Sequence, residues 1–303
     1  MKGLRLIVFI VLMTAAGGII LLFVLIRPRT PLKYTFAPAF QLLGRSTKAL
    51  DRALAKMVPV DDIDEWEYGD AIAARYETDE DMKTPEGRYC NDLIEEISRQ
   101  KKKEFVYRVF ILPYEDPNAF ALPGGVIMVT EGLFDVMKSE AELVAVLAHE
   151  MGHIELSHCF DAVKFELLSE KIGRASLGQL ADIAMNLMLR HSYSKTQEDE
   201  ADNYSYNLII NTEYTPSCVG NAFRSFLDWE KKQDNRQEKS DANILRDYFM
   251  THPHMVTRVE KYAELAKLWW KKHPDGRKYR GVKNLKERTA LNKKKFEKEF
   301  MRE

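Results

Sequence analysis

The chain has 303 residues, of which 45% are hydrophobic, and a formal net charge of −1. This length allows one substantial core of roughly 200 residues plus extensions, and the balanced charge argues against a dedicated nucleic-acid-binding protein, so no nucleic-acid partner is expected. The three cysteines, at positions 90, 159 and 218, lie far apart without C-x-x-C spacing, which argues against both a zinc ribbon and a disulfide framework.

The N-terminal region contains an uncharged apolar run from Leu6 to Ile26. The run is long enough to span a bilayer and longer than the apolar core of a typical cleaved signal peptide. We therefore predict that residues 1–29 form one uncleaved anchor in a lipid bilayer. Basic residues flank the run on both sides, so the positive-inside rule does not decide its orientation.

The rest of the chain divides into three predicted parts. Residues 30–60 are predicted to be a stalk helix, although Gly44 interrupts the helical spacing and a simple linker fits nearly as well. Residues 61–270 are predicted to form the main domain. Residues 271–303 are rich in Lys and Arg and are predicted to be a basic tail.

Short strand patterns occur in the first half of the main domain. Residues 105–112 and 126–130 are rich in β-branched and aromatic residues, as strands are. Pro123 cannot donate a ladder hydrogen bond, so residues 118–122 are expected at a sheet edge. Helical spacing dominates elsewhere, which predicts an α+β fold that is mostly helical with a small mixed or antiparallel sheet.

The most informative stretch is the H-E-x-x-H motif of His149, Glu150 and His153. On a helix the two histidines lie about 40° apart in projection and reach one metal ion, while Glu150, offset by about 100°, lies beside that ion. This is the spacing of two zinc ligands and a general base. A surface helix that happens to carry two histidines is the alternative.

The helix that carries the motif has its own signals. Ser139 and Glu142 form a predicted capping box, and apolar spacing predicts a helix that continues to about His158. Gly152 weakens a helix by roughly 1 kcal/mol relative to Ala, so we expect close packing against a neighbour there.

A catalytic zinc site needs a third protein ligand and one open position. Cys159 has a suitable thiol, but no glycine precedes it to break the helix and turn it towards the metal. His158 lies about 180° around the helix from His149, which predicts a structural or surface histidine.

Carboxylates on a second helix are the better candidates for this ligand. Residues 194–210 are predicted to be helical, with Thr196 as the N-cap. Glu198 and Asp202 are four residues apart on one face of this helix, with the small Ala201 beside them. By itself the pair is explained better by helix capping and solvation.

Four motifs that occur in one order carry a resemblance. They are N-A-F-A-L-P-G-G at 118–125, E-x-E-L-x-x-V-L-x-H-E-x-G-H at 140–153, Q-E-x-x-A-D at 197–202 and T-H-P…R at 251–258. With them the chain resembles the gluzincin-type zinc metallopeptidase family that includes HtpX and the CAAX prenyl proteases, and within it the envelope proteases of the BepA and LoiP type. The resemblance implies a zincin-like metallopeptidase domain over residues 61–270.

The resemblance also implies a metal and its ligands. One Zn²⁺ per chain would be bound by His149, His153 and Glu198. Glu150 would be the general base that takes a proton from the zinc-bound water. Asp202 would accept the N–H of a ligating histidine.

Two further residues match the segment that closes over the active site in this family. His252 and Arg258 are therefore candidate catalytic residues that steady the site or the oxyanion. Lys195 stands where the family often has Arg, which leaves the local ion pairing open.

Substrate is expected at the strand that ends at Pro123. If Asn118, Ala119 and Phe120 lie at a free sheet edge, an extended peptide can add to them as an extra strand. The alternative is that these residues only pack a turn.

The predicted function is a membrane-anchored zinc endopeptidase that acts on unfolded or damaged envelope proteins. It would be a single-pass inner-membrane protein with the catalytic domain on the periplasmic side. One rival is an envelope protein with chaperone-like binding and a structural metal site. The other is a membrane-surface adaptor built on Trp269, Trp270 and the basic tail.

Overall fold

A computed structural model describes residues 62–76, 84–164, 177–189, 191–234, 252 and 255–302. They belong to one compact unit that runs from Ala55 to Glu303. The predicted anchor and the predicted stalk lie outside the described residues. None of the helices within the described ranges combines the length and the apolar character that a membrane crossing requires.

The described elements confirm the α+β prediction, because helices predominate and the strands are short. The helices are α1 (Asp62–Tyr76), α2 (Pro85–Ile97), α3 (Glu131–Val136), α4 (Glu140–Glu155), α5 (Leu177–Met188), α6 (Lys195–Ile210), α7 (Cys218–Asp234), α8 (Met255–Lys272) and α9 (Val282–Glu287). The strands are β1 (Arg108–Leu112), β2 (Ala119–Leu122), β3 (Val126–Thr130), β4 (Lys278–Tyr279) and β5 (Phe300–Met301).

The larger sheet is mixed and has three strands in the order β1-β3-β2. The central strand β3 runs parallel to β1 and antiparallel to β2. The edge position that Pro123 predicts for residues 118–122 is thus confirmed. Because Thr130 N donates to Asn118 O, the alternation of an antiparallel ladder directs the main-chain groups of Ala119 and Ala121 away from β3, towards the outer edge.

That outer edge is covered in this structure. Ala119 and Ala121 have no exposed surface and Phe120 is 2% exposed. Helices α4 and α5 both pack against β2. The expectation of a free edge is therefore wrong for the arrangement seen here, because no atom of Ala119 or Ala121 is open to solvent.

Helix α4 forms the centre of the core. Ser139 Oγ accepts a hydrogen bond from Glu142 N at 3.3 Å, so the predicted N-cap is confirmed. Glu142 Oε2 accepts from Lys138 N and from Ser225 Oγ, so the carboxylate reaches one residue before the N-cap. Every residue from Glu140 to Ile154 is buried, which excludes the surface-helix alternative.

The end of α4 differs from the prediction. The helix ends at Glu155 rather than near His158. Ser157 has a φ of 59°, a left-handed conformation that ends a helix. Residues 158–164 then form a new helical segment with a different direction of side chains.

Helix α6 packs directly on α4 at two small residues. A Cβ added to Gly152 would lie 3.1 Å from Ala201 Cα and 3.1 Å from Ala201 O. The close packing that Gly152 predicts is confirmed. Ser205 Oγ also donates to Ala145 O at 2.9 Å, which fixes the register of the two helices.

The N-cap of α6 is Ser194 and not Thr196. Ser194 Oγ accepts from Gln197 N, and Gln197 Oε1 accepts from Ser194 N at 3.1 Å, which completes a capping box. Ser194 satisfies the first-turn donors two residues earlier than predicted, because its partner Gln197 occupies the third helical position. The capping places Glu198 in the first turn, facing α4.

Residues 271–303, predicted to be a basic tail, are folded against α4. Tyr279, Asn284 and Leu291 are buried, and β4 pairs with β5. Glu140 N donates to Gly281 O, and Leu291 N donates to Glu140 Oε1 at 3.1 Å. This packing could not be recognised from the composition of the segment, because the lysines occupy the exposed positions between the buried residues.

Candidate metal centre

Four buried side chains bring metal-binding atoms together between α4, α6 and the residue that precedes α8. They are His149, His153, Glu198 and His252, and their donor atoms all lie within 4.8 Å of one another. None of the four is more than 2% exposed. The three predicted zinc ligands are therefore adjacent, and His252 adds a fourth donor that was predicted only to steady the site.

The distances between these donors fit one small ion. His149 Nε2 lies 3.1 Å from His153 Nε2 and 3.6 Å from Glu198 Oε2. His153 Nε2 lies 3.4 Å from Glu198 Oε1. His252 Nδ1 lies 3.2 Å from His149 Nε2 and 3.0 Å from Glu198 Oε1. Zinc with ligands at about 2.0–2.1 Å requires tetrahedral edges of about 3.3–3.4 Å, and the observed edges bracket that length.

The other nitrogen of His149 is held by a buried carboxylate. Asp202 Oδ1 lies 2.8 Å from His149 Nδ1. A carboxylate only accepts, so Nδ1 carries the proton and the Nε2 lone pair faces the cluster. This is the position that was predicted for Asp202.

Arg258 lies behind the donor cluster rather than beside the reacting groups. Its Nε and Nη2 donate to the two oxygens of Asp202 at 2.8 and 2.6 Å, and its Nη1 lies 2.8 Å from Glu198 Oε2. Its guanidinium also stacks on Phe223, 4.0 Å from the ring centroid. Arg258 is therefore placed to hold the carboxylates, which fits the first of its two predicted roles, to steady the site; its role at an oxyanion stays a prediction.

The other nitrogen of His153 has a partner that the sequence analysis assigned elsewhere. His158 Nδ1 lies 3.1 Å from His153 Nδ1, and His158 Nε2 lies 3.0 Å from Glu200 Oε2. His158 is 6% exposed. The prediction of a histidine on the far side of α4 is wrong because α4 ends before this residue.

An aromatic ring completes the packing around His153. Tyr193 stacks on the imidazole with ring centroids 3.7 Å apart and an interplanar angle of 18°. Tyr193 is 3% exposed. Cys159, considered as an alternative ligand, directs its thiol to the main-chain oxygen of His153 at 3.8 Å and contributes no atom to the donor cluster.

Glu150 is fully buried beside the cluster. Its Oε1 lies 3.5 Å from His252 Nε2, beyond the length of a strong hydrogen bond, and neither carboxylate oxygen has a hydrogen-bond partner within the part of the chain that the structure describes. Leaving such a group buried and unpaired costs about 1–3 kcal/mol or more, so it is retained where it has a chemical use.

Burial and neighbouring charges divide the acids of the site into two kinds. Burial raises the pKa of Glu150, and nearby His252 and His149 only partly offset it. For Glu198 burial acts in the same direction, but His252, His153 and Arg258 outweigh it and lower the pKa well below its usual range. The raised pKa of Glu150 suits a group that accepts a proton, and the lowered pKa of Glu198 suits a ligand that stays ionised.

The bases of the site are affected differently. Burial lowers the pKa of His153 well below its usual range, and the neighbouring carboxylate of Glu198 opposes this only in part. A neutral imidazole is the form that binds a metal. Arg258 and His149 outweigh the effect of burial at Asp202 and lower the pKa of that carboxyl, so Asp202 stays an acceptor.

The residues predicted to contact substrate lie in the sheet. Asn118 N donates to Thr130 Oγ1 at 2.7 Å, and Ala119 and Phe120 pair with β3. All three are buried. Their packing agrees with the alternative in which they are structural in this arrangement.

Comparison with known proteins decides the family. The model of peptidase family M48 matches residues 87–266, which include α4, α6 and the donor cluster. The chain belongs to peptidase family M48.

Several known proteins are similar to this M48 chain. The metalloprotease LoiP of Escherichia coli K12 is 32% identical over 165 residues, which cover 51% of this chain and 60% of LoiP. The mitochondrial metalloendopeptidase OMA1 of Schizosaccharomyces pombe is 28% identical over 205 residues, or 65% of this chain and 56% of OMA1. The protease HtpX homolog of Salinibacter ruber is 29% identical over 266 residues, or 75% of this chain and 93% of that protein. The chain spans little more than half the length of LoiP and of this OMA1.

Proposed function

We propose that this M48 chain is a zinc-dependent endopeptidase that hydrolyses peptide bonds. The observation that carries the proposal is the buried carboxylate of Glu150, which accepts no hydrogen bond from the described residues and lies beside the donors of His149, His153 and Glu198. A metal that only stabilises a fold needs no base next to it. The cost of keeping Glu150 there is explained by proton transfer.

The residues of the chain then have distinct roles. His149, His153 and Glu198 would hold the zinc ion, which when bound lowers the pKa of a water molecule to about 7 and polarises a substrate carbonyl. Glu150 takes the proton of the attacking water and returns it to the leaving amine. Its raised pKa suits both steps, because a carboxylate that binds a proton more strongly than usual is a better base, and its acid form can return that proton.

The position of His252 in the cluster is compatible with two candidate functions, and the role of His252 differs between them. As a fourth protein donor it fills a tetrahedral site, as in structural zinc centres. This favours the rival in which the protein binds polypeptides around a structural metal. In the peptidase, His252 has to move out of the cluster so that water and substrate can enter. This movement would uncover Glu150.

We also propose the setting of this activity. The apolar run from Leu6 to Ile26 supports a single-pass anchor in the lipid bilayer of the inner membrane. The resemblance to the envelope proteases of the BepA and LoiP type, rather than the charges that flank this run, supports the periplasmic side for the peptidase unit. The outward-facing main chain of Ala119 and Ala121 supports substrates that are extended or unfolded, once α5 uncovers this edge. Damaged envelope proteins have this character.

The decisive experiment is the variant Glu150→Gln. It retains all four donors, so zinc content and thermal stability should stay near those of the unaltered chain. Hydrolysis of unfolded casein should fall by at least about 10²-fold because only proton transfer is removed. The matched control is Glu264→Gln, an exposed glutamate on α8, which should cleave casein normally.

The same experiment separates the two candidates. A structural metal site predicts that the unaltered chain binds zinc and does not cleave casein. Comparable cleavage by Glu150→Gln and the unaltered chain would contradict the peptidase mechanism.

A further inference from the structure

Two hydrogen bonds connect the donor cluster to the protein surface through His153. The first joins His153 Nδ1 to His158 Nδ1 at 3.1 Å, and the second joins His158 Nε2 to Glu200 Oε2 at 3.0 Å. Glu200 lies on α6 with a side chain that is 53% exposed, whereas His158 is buried. Together the three residues form one relay from solvent to the cluster.

When both imidazoles are neutral, one placement of protons satisfies both hydrogen bonds of the relay. The Glu200 carboxylate only accepts, so His158 Nε2 carries a proton and donates it. His158 Nδ1 is then a lone pair, which accepts the N–H of His153 Nδ1. That leaves His153 Nε2 as a lone pair directed at His149, Glu198 and the centre of the cluster.

The opposite placement is unfavourable at both ends. If His158 Nδ1 donated to His153, His153 would carry its proton on Nε2, the atom that faces the other donors. His158 Nε2 would then point a lone pair at the carboxylate of Glu200. The relay therefore selects the tautomer of His153 that can bind a cation.

The turn after α4 is what brings His158 to this position. On an uninterrupted helix a residue five positions after His153 lies about 140° around the axis from it. The left-handed Ser157 ends α4 and redirects the chain. Lys103 Nζ donates to Ser157 Oγ at 2.7 Å and also pairs with the buried Glu65, which holds the turn in place.

The two histidines of the motif thus have different outer partners. His149 donates to Asp202, which is ionised and held by Arg258. His153 donates to the imidazole of His158, a neutral acceptor that is polarised by a carboxylate farther out. Each arrangement fixes one ring, so loss of either should loosen one ligand only.

We propose that His158 and Glu200 are positioning residues that orient His153 for zinc, a role that rests on the zinc site of the proposed function. His158 fixes the tautomer and the ring of His153 by a direct hydrogen bond. Glu200 fixes the tautomer of His158 from the surface. Outer partners of this kind typically change metal affinity by about 10- to 100-fold.

The test is zinc affinity, measured on the full chain in detergent by competition with a chromophoric chelator. His158→Ala removes the acceptor and should weaken zinc binding by about 10- to 100-fold. His158→Asn places an amide oxygen where Nδ1 was and should restore affinity to within a few-fold. His273→Ala, an exposed histidine on neither helix of the cluster, is the matched control and should bind zinc normally.

Glu200 should have a smaller effect because it is half exposed. Glu200→Ala should weaken zinc binding by about 1.5- to 5-fold, the range of exposed ion pairs. Glu264→Ala is the matched exposed control. The second readout is the tautomer of His153, measured by long-range ¹H–¹⁵N correlation spectra of the imidazoles. The Nδ1-protonated form of His153 should be lost in His158→Ala and retained in His158→Asn.

The outcomes distinguish this inference from the proposed function. If the unaltered chain does not bind zinc, the zinc peptidase itself is wrong. If the unaltered chain binds zinc and His158→Ala binds it equally well, with the His153 tautomer unchanged, the relay is overturned. Melting temperatures of the metal-free variants identify any effect of unfolding, and equal loss of affinity in His158→Asn and His158→Ala at normal stability also overturns it.

Discussion

The individual residues of the site are held by chains of partners rather than by single contacts. Glu198 illustrates this, because its oxygens face His149, His153, His252 and Arg258 at once. The positive groups more than offset the effect of burial on its pKa. An ionised carboxylate in a buried site is stable only with such neighbours.

This arrangement predicts different consequences for the two carboxylates of α6. Glu198→Ala removes the one anionic donor of the cluster and should cause loss of zinc on dialysis, because the imidazoles that remain are neutral ligands and do not offset the charge of the ion. Asp202→Asn keeps an oxygen for His149 Nδ1 but loses the charge, so affinity should fall by roughly 10- to 100-fold. Metal analysis after dialysis against graded chelator concentrations measures both. Full zinc retention by Glu198→Ala would show that Glu198 is not a ligand.

At the scale of elements, the sequence predicted the central helix well and its boundaries less well. The apolar spacing and the Ser139 cap placed α4 correctly, and Gly152 correctly indicated a close neighbour. The end of α4 was missed because Ser157, unlike glycine, gives no sequence signal for a left-handed turn. That single turn determines where His158 lies. Its contact with His153 could therefore not be predicted from positions on a continuous helix.

The first turn of α4 predicts a pH dependence of stability. Burial raises the pKa of Glu140 from 4.5 to about 7, although hydrogen bonds from Tyr214, Tyr89 and Leu291 N oppose it. The folded state retains a proton on Glu140 that the unfolded chain loses. The contribution of this group to the free energy of unfolding is therefore full below pH 4.5 and is lost as the pH rises through 7. Glu140→Gln, which stays neutral, should therefore gain stability relative to the unaltered chain between pH 5 and pH 8, by at most about 3 kcal/mol.

Urea unfolding of both proteins at several pH values measures this difference. The control is Glu264→Gln, whose carboxylate is exposed. A difference between Glu140→Gln and the unaltered chain that stays constant from pH 5 to pH 8 would contradict a raised pKa at Glu140.

Helix α5 is the neighbour of β2 that we expect to move when the edge of this strand is uncovered. It packs on β2 and on α1, and its Asp182 pairs with Arg75 at 3.2 Å and accepts from Tyr76 at 3.4 Å. Under the strand-addition proposal, Asp182→Ala should favour uncovering of the edge and lower the KM for unfolded casein by up to about fivefold, since exposed pairs stabilise weakly.

The matched control for this prediction is Asp228→Ala. Asp228 pairs with Lys138 at 3.0 Å, with both side chains about half exposed, as at Arg75 and Asp182. Its loss should leave the KM unchanged. Equal KM values for Asp182→Ala and the unaltered chain would argue that substrate does not add to β2.

At the scale of the molecule, the C-terminal segment completes the core around α4. The sequence suggested a solvated tail because lysines and arginines dominate its composition. Composition could not reveal that Tyr279 Oη donates to Asn284 Oδ1 and accepts from Phe296 N, or that Asn284 Nδ2 bonds the main chain of Thr289 and Lys294. These contacts depend on a chain path that has little regular secondary structure.

The final prediction separates packing from charge in this segment. Leu291 is 6% exposed, and its N–H binds the Glu140 carboxylate at the start of α4. Leu291→Ala should lower the free energy of unfolding by about 2–5 kcal/mol, as for a buried leucine. The double variant Lys286→Gln and Lys298→Gln alters exposed side chains and should change it by no more than about 0.5 kcal/mol. Chemical unfolding of the metal-free full chain in detergent measures both changes. A larger loss of stability in the lysine variant than in Leu291→Ala would show that charge, and not packing, is the main contribution of this segment.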